Sequence, residues 1–222
     1  YENVKGAVYV YHRRNGEWAR TKLALPEAST IGLGSASTLT DQIFISVSNY
    51  VTPNSLWLAD AATGKVEKLK SIPERFDASK LTVDQHEATS ADGTKIPYFV
   101  VRPKAMALDG NNPTLLYGYG GFEVSLTPSY SATVGTSWLT KGGVYAVANI
   151  RGGGEYGRTW HDGGRLKSKQ NVFDDFIAAG EYLVAERYTQ PSKLAIAGGS
   201  NGGLLVGAAL NQRPDLFGAA LP

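Results

Sequence analysis

A serine flanked by glycines, Gly198-Gly199-Ser200-Asn201-Gly202-Gly203, separates the apolar run Leu194-Ala195-Ile196-Ala197 from a segment carrying Leu204, Leu205, Ala208 and Ala209 at helical spacing. Gly198, Ser200 and Gly202 satisfy G-x-S-x-G, the pattern of a nucleophile elbow, where serine occupies a sharp strand-to-helix turn. Such a turn strains the serine backbone and brings strand and helix so close that only small neighbours fit. A serine at its apex is open to substrate and lies beside helix N-terminal N–H groups, which favour negative charge. Glycine-rich turns containing serine also occur as plain structure. The strand-like run before and the helical spacing after are what point to a nucleophile here.

A serine hydrolase also needs a base, an acid to orient it, and donors for the tetrahedral oxyanion. On an α/β-hydrolase sheet the order is serine, acid, histidine. His12, His86 and His161 all precede Ser200, and Asp215, the sole acid after it, reads as a surface or capping residue. The base and acid are therefore expected beyond Pro222. His161-Asp162 is a tempting pair, but adjacent residues seldom orient one another, and it is assigned a local surface or packing role.

Two further motifs contain chemistry-bearing residues. Leu116-Tyr117-Gly118-Tyr119-Gly120-Gly121-Phe122 follows a strand, where α/β hydrolases carry a glycine-rich oxyanion loop. A tyrosine hydroxyl there can donate to an oxyanion; equally, the stretch is a core turn with two packing tyrosines, and the residues alone leave both open. Gly152, Gly154 and Gly157 satisfy G-x-G-x-x-G after a strand. Nucleotide binding is set aside, because Arg158 to Gly164 should break the helix that this fingerprint needs. Asp174 and Asp175 read as first-turn helix residues, suited to the dipole and able to pair with Arg151.

The elements that must position these residues change character along the chain. Up to about Leu69 the pattern is all-β: a hairpin turning at Asn15-Gly16, a strand at Ile43 to Val47, and a second hairpin around Ala62-Thr63-Gly64. This resembles propeller sequence, built from four-stranded blades of roughly 40–50 residues. Ser71 to Leu81 reads as a linker. Strands are then expected at Leu81 to Thr89, Lys95 to Arg102, Thr114 to Tyr117, Gly143 to Ile150 and Lys193 to Ala197. Asn171 should cap a helix with Phe173, Phe176, Ile177, Gly180, Val184 and Tyr188 along one stripe, and Gly202 to Asn211 should form the helix after the elbow. The fold class is α/β with a mostly parallel sheet, divided as 1–72 and 73–222. A strand begun at Phe217 to Pro222 would need further partners, so the chain reads as cut at both ends.

The 222 residues are 42% hydrophobic and 19% charged, with a formal charge of +2, which gives no reason to expect nucleic acid or a membrane surface as partner. No apolar stretch approaches a membrane span, at about 18–20 residues. The absence of cysteine excludes disulfides, thiol catalysis and cysteine-bound metal. No metal or other cofactor is expected.

At three motifs the chain resembles the prolyl oligopeptidase family of serine peptidases: Tyr117 to Phe122, Ala148 to Gly157, and Gly198 to Leu205. Asn211-Gln212-Arg213-Pro214-Asp215-Leu216-Phe217 reads the same way. The resemblance implies a truncated α/β-hydrolase domain, preceded by the end of a seven-bladed β-propeller that admits short peptides and excludes folded proteins. It implies Ser200 as nucleophile, forming an acyl-enzyme with a prolyl carbonyl. Tyr119 through its hydroxyl and Asn201 through its backbone N–H would form the oxyanion hole, and Phe122 would line the proline pocket. Proline-containing oligopeptides are the implied partners, for a monomer placed in the cytoplasm, with the periplasm as the alternative. Without the aspartate and histidine that the family carries later in the sequence, this chain alone should be nearly inactive.

Overall fold

Asn15 and Gly16 both take left-handed backbone, with φ of 51° and 86°. That is the geometry of a tight hairpin turn whose twist matches the flanking strands. It joins β1 (Tyr9–Arg14) to β2 (Glu17–Lys22) in register. The computed structural model describes Tyr1–Pro222, in two compact units: Tyr1–Arg75 with Thr127–Ala132, and Phe76–Leu126 with Thr133–Pro222. The return of Thr127–Ala132 to the first unit has no signal in the sequence pattern.

Within the first unit, β3 (Thr30–Ala36), β4 (Gln42–Ser48), β5 (Ser55–Asp60) and β6 (Val66–Ser71) form an antiparallel four-stranded meander, the construction of a propeller blade. Alternation along β4 buries Ile45 and Val47, which pack with Leu23 and Ala59. The strand at β3 was not expected, because Gly32 and Gly34 interrupt its apolar alternation. Both serve close strand approach: a Cβ on Gly32 would lie 2.6 Å from Ser46 Oγ, and one on Gly34 3.0 Å from the Phe44 carbonyl.

The second unit is a six-stranded sheet in the order β12-β11-β9-β10-β8-β7. Its strands are β7 (Leu81–Thr89), β8 (Lys95–Pro103), β9 (Thr114–Tyr117), β10 (Val144–Ala148), β11 (Leu194–Ala197) and β12 (Ala219–Leu221). The β7–β8 and β8–β10 pairs are antiparallel, and β10–β9, β9–β11 and β11–β12 are parallel. The helices are α1 (Ala132–Ser137), α2 (Arg158–Asp162), α3 (Lys169–Ala185) and α4 (Asn201–Gln212). Strand residues Tyr98, Leu116, Ala146 and Ile196 share one core with Phe176 and Leu183 of α3 and Leu205 of α4. Each large side chain so buried contributes about 1.5–3 kcal/mol. No helix is long and apolar enough to cross a membrane.

Two local expectations need correction. One helical turn, α2, forms where Arg158 to Gly164 was expected to break any helix; it ends at Asp162 and is capped by Gly163. Helix α3 begins at Lys169 rather than after Asn171, and Ser168 makes no side-chain cap. The Asn171 amide instead donates to the Gly163 carbonyl at 2.9 Å, holding the loop that precedes the helix. Asp174 and Asp175 consequently lie in the second turn of α3. Asp174 accepts from Gln170, and Asp175 is fully buried.

Asp175 meets Arg151 in the loop that follows β10. Its carboxylate receives Arg151 Nε at 2.9 Å, Nη2 at 2.6 Å, the Arg151 backbone N–H at 3.0 Å and Ser90 Oγ at 2.6 Å. Arg151 also grips Asp92, in the β7–β8 turn, with Nη1 at 2.5 Å and Nη2 at 3.2 Å. Hydrogen bonds from Arg151 hold the Asp92 carboxyl far below the usual carboxylate range, and those to Asp175 raise the guanidinium further. Removing Arg151 leaves the buried Asp175 charge without its cation. Substituting Arg151→Met is expected to destabilise the sheet unit by about 3–5 kcal/mol, read as a fall in its urea midpoint.

Candidate active site

β9 and β11 lie side by side and parallel, with Tyr117 opposite Ala197. In sheet order the chain passes from β9 to β10 on one side, and from β11 to β12 on the other. The crevice at their carboxyl ends is therefore a topological switch point, where open α/β sheets bind ligands. The loop containing Tyr119 and the turn containing Ser200 both emerge there.

Ser200 occupies that turn with φ 56° and ψ −115°, immediately before α4, and is exposed. A non-glycine residue in this region costs about 1–3 kcal/mol and persists only where its surroundings dictate it. The surroundings are tight. A Cβ on Gly198 would lie 2.6 Å from the Gly202 carbonyl and 2.8 Å from that of Gly118, and one on Gly202 2.8 Å from the latter. Bonds from Gly202 N to Gly199 O at 2.8 Å and Gly203 N to Ser200 O at 2.9 Å close the turn.

The β9 loop is fixed from two helices. The Asn201 side chain donates from Nδ2 to the Tyr119 carbonyl at 2.6 Å. Lys169, the first residue of α3, donates from Nζ to the Gly120 carbonyl at 2.8 Å and reaches Asn201 Oδ1 at 3.4 Å. Burial pushes the Lys169 ammonium below its ordinary pKa. Tyr119 is half-buried. Phe122, three residues on, has φ 53° and is 76% exposed, and with Leu166, His161 and Asn201 it lines an open cavity of about 580 Å³.

The loop after β10 backs this arrangement. Gly152 has φ 88°, and a Cβ there would lie 2.5 Å from the Gly120 carbonyl. His161 Nδ1 sits 2.8 Å from the Gly152 carbonyl, and Trp160 Nε1 donates to that of Ile150 at 3.1 Å. Glu155 turns inward: its Oε1 accepts from Leu126 N at 2.9 Å and Asn149 Nδ2 at 3.2 Å, while its Oε2 and Asn149 Oδ1 are buried without a partner. No group of three or more His, Asp or Glu side chains is arranged to hold a metal ion.

Of the residues singled out in the sequence, the fold brings Ser200, Asn201 and Tyr119 to one crevice, with Phe122 on the outer part of the same loop. Asp175 is the member of the acidic pair that meets Arg151. Lys169 was not anticipated. It lies in the polar stretch Lys167-Ser168-Lys169-Gln170, which has no periodicity to mark it. Nor did any pattern suggest that the Asn201 side chain, as well as its backbone, faces the β9 loop.

An exposed serine on a strand–helix bend at the carboxyl edge of parallel strands defines an α/β-hydrolase type of domain. The profile described as "Prolyl oligopeptidase family" matches residues 128–222, and that described as "Prolyl oligopeptidase, N-terminal beta-propeller domain" matches residues 1–72. An uncharacterised peptidase, y4nA, of Sinorhizobium fredii is 52% identical over 219 residues, 99% of this chain and 30% of that protein. The prolyl endopeptidase of Elizabethkingia miricola is 45% identical over 201 residues, 90% of this chain and 28% of that protein. Among solved structures, a post-proline cleaving enzyme from Rickettsia typhi superposes with a TM-score of 0.83 at 40% identity, covering 99% of this chain and 32% of the other. The chain belongs to the prolyl oligopeptidase family, and it spans 30% or less of the length of these two curated relatives.

Burial raises the Glu155 carboxyl above its ordinary pKa, more than its hydrogen bonds lower it. The folded state thus binds this proton more tightly than the unfolded chain. Stability from this group is present in acid and declines as pH rises from the unfolded pKa through the folded one. Glu155→Gln, which keeps the acceptor for Leu126 and Asn149, is expected to flatten that decline and to raise Tm at neutral pH. Thermal melts of both forms across pH 4 to 8 check this.

Proposed function

We propose that the protein carrying this chain is a serine endopeptidase that cleaves short peptides on the carboxyl side of proline, through an acyl-enzyme on Ser200. The observation that carries the reading is the exposed, strained serine held at the switch point beside the β9 loop. Similarity to proteins named prolyl endopeptidase supports the substrate class.

In this mechanism Ser200 Oγ forms a bond to the prolyl carbonyl carbon and loses its proton to a base. The carbonyl oxygen becomes an oxyanion, which accepts hydrogen bonds from the Tyr119 hydroxyl and the Asn201 backbone N–H. Collapse of the intermediate breaks the C–N bond, and the leaving amine takes the proton from the base. Water then enters by the same route and releases the acid. Phe122 offers an apolar surface to the proline ring, whose nitrogen has no N–H in the peptide and asks for no acceptor. The base and its orienting acid are assigned to sequence following Pro222, so the chain by itself would retain little catalysis.

A fluorophosphonate should label the whole protein at Ser200, and Ser200→Ala should abolish both labelling and hydrolysis of a prolyl peptide. Tyr119→Phe should lower kcat about 100- to 1,000-fold, as loss of one oxyanion donor does, with little change in KM. The isolated 222-residue chain should label far more slowly than the whole protein. Equal labelling of the two would remove the need for a base beyond Pro222, and labelling at another serine would overturn the role of Ser200.

A further inference from the structure

The carbonyls of Tyr119 and Gly120 are consecutive, and each is held by a side chain from a different helix. Asn201 of α4 takes the first at 2.6 Å, and Lys169 of α3 takes the second at 2.8 Å. The two side chains also meet, Lys169 Nζ lying 3.4 Å from Asn201 Oδ1. The result is a closed ring running from the loop through both helices and back.

The direction of the Asn201 amide depends on that ring. With Oδ1 toward the ammonium, Nδ2 is left to donate to Tyr119. The reversed amide would set its NH₂ against a cation and its oxygen against a carbonyl, two repulsions in place of two attractions. A charged donor makes the Gly120 bond stronger than a neutral one would, and burial around Lys169 limits competition from water. The two peptide units fixed in this way flank Gly120 and follow directly on Tyr119. Gly120, with φ 67°, and Gly121, where a Cβ would fall 2.5 Å from Asn201 Nδ2, leave the loop close against α4.

We propose that Lys169 is a positioning residue for the oxyanion hole, setting the distance between the Tyr119 hydroxyl and the Asn201 backbone N–H by clamping the β9 loop to the start of α4. The assignment rests on the role proposed above for Tyr119. Lys169 acts through that residue and touches no reacting atom.

The test is a double-mutant cycle in the whole protein, using a chromogenic prolyl peptide and reading kcat and KM separately. Lys169→Met is expected to lower kcat about 10- to 100-fold, the cost of a misplaced catalytic group, with KM within about twofold of wild type. In a Tyr119→Phe background the same substitution should cost less than about threefold, since the donor it positions is already gone. A role in fold stability alone would lower Tm and cost the same in both backgrounds, which would overturn the proposal, as would an unchanged kcat. If the methionine variant does not fold, Lys169→Gln, which keeps a donor but drops the charge, is judged by the same cycle. Wild-type kcat in Tyr119→Phe alone overturns the role of Tyr119 and this proposal together; an impaired Tyr119→Phe beside an unimpaired Lys169 variant overturns only the latter.

Discussion

The second unit is organised by how closely two backbones approach at the ends of β9 and β11. The Gly118 carbonyl lies within 2.8 Å of where a Cβ would stand on either Gly198 or Gly202. A single methyl group at either position would drive the serine turn away from the β9 loop. This sub-side-chain clearance explains the glycine content of both loops better than flexibility does. It also makes Ser200 a residue whose backbone has no relaxed alternative, since the strand, the helix and the neighbouring loop leave one path between them.

Holding a strained turn requires rigidity in what surrounds it. The parallel strands supply part of this, and the loops after β9 and β10 brace each other through Gly120 and Gly152. Behind them, Arg151 and Asp175 join the loop after β10 to the middle of the long helix. Such a buried pair is not a strong source of stability against an apolar replacement. Its value is directional: the bidentate geometry fixes the angle at which the loop leaves the strand, which apolar packing would leave looser. The same helix then presents Lys169 at its start.

Most of this architecture was legible in the sequence because it rests on period and punctuation. The strands from Leu81 to Thr89 and from Lys95 onward, and the helix after the serine, follow from alternation, apolar runs and glycine turns acting together. The α/β class and the propeller-like beginning follow from the order of those elements. What escaped notice has a common cause. β3 hides because its glycines serve inter-strand contact, which a single strand's pattern does not encode. The start of α3 differs from the expected one because a residue type suited to capping is used inside the helix to hold the preceding loop, as Asn171 does at Gly163. Lys169 and the Asn201 side chain act across 32 positions of sequence or more, and no local spacing announces such partners. The tight strand-to-helix turn at Ser200 could be read from its neighbours; the clamp around Tyr119 required three dimensions.

The β7–β8 turn has a consequence of another kind. Residues 91–93 form an ordinary solvent-facing hairpin tip with Gly93 at φ 87°, the sort of place where related proteins gain and lose residues freely. Here Ser90 and Asp92 both reach into the Arg151 pair. An insertion or deletion of even one residue would swing those side chains out of reach, so this outer loop is as constrained in length as the interior it serves.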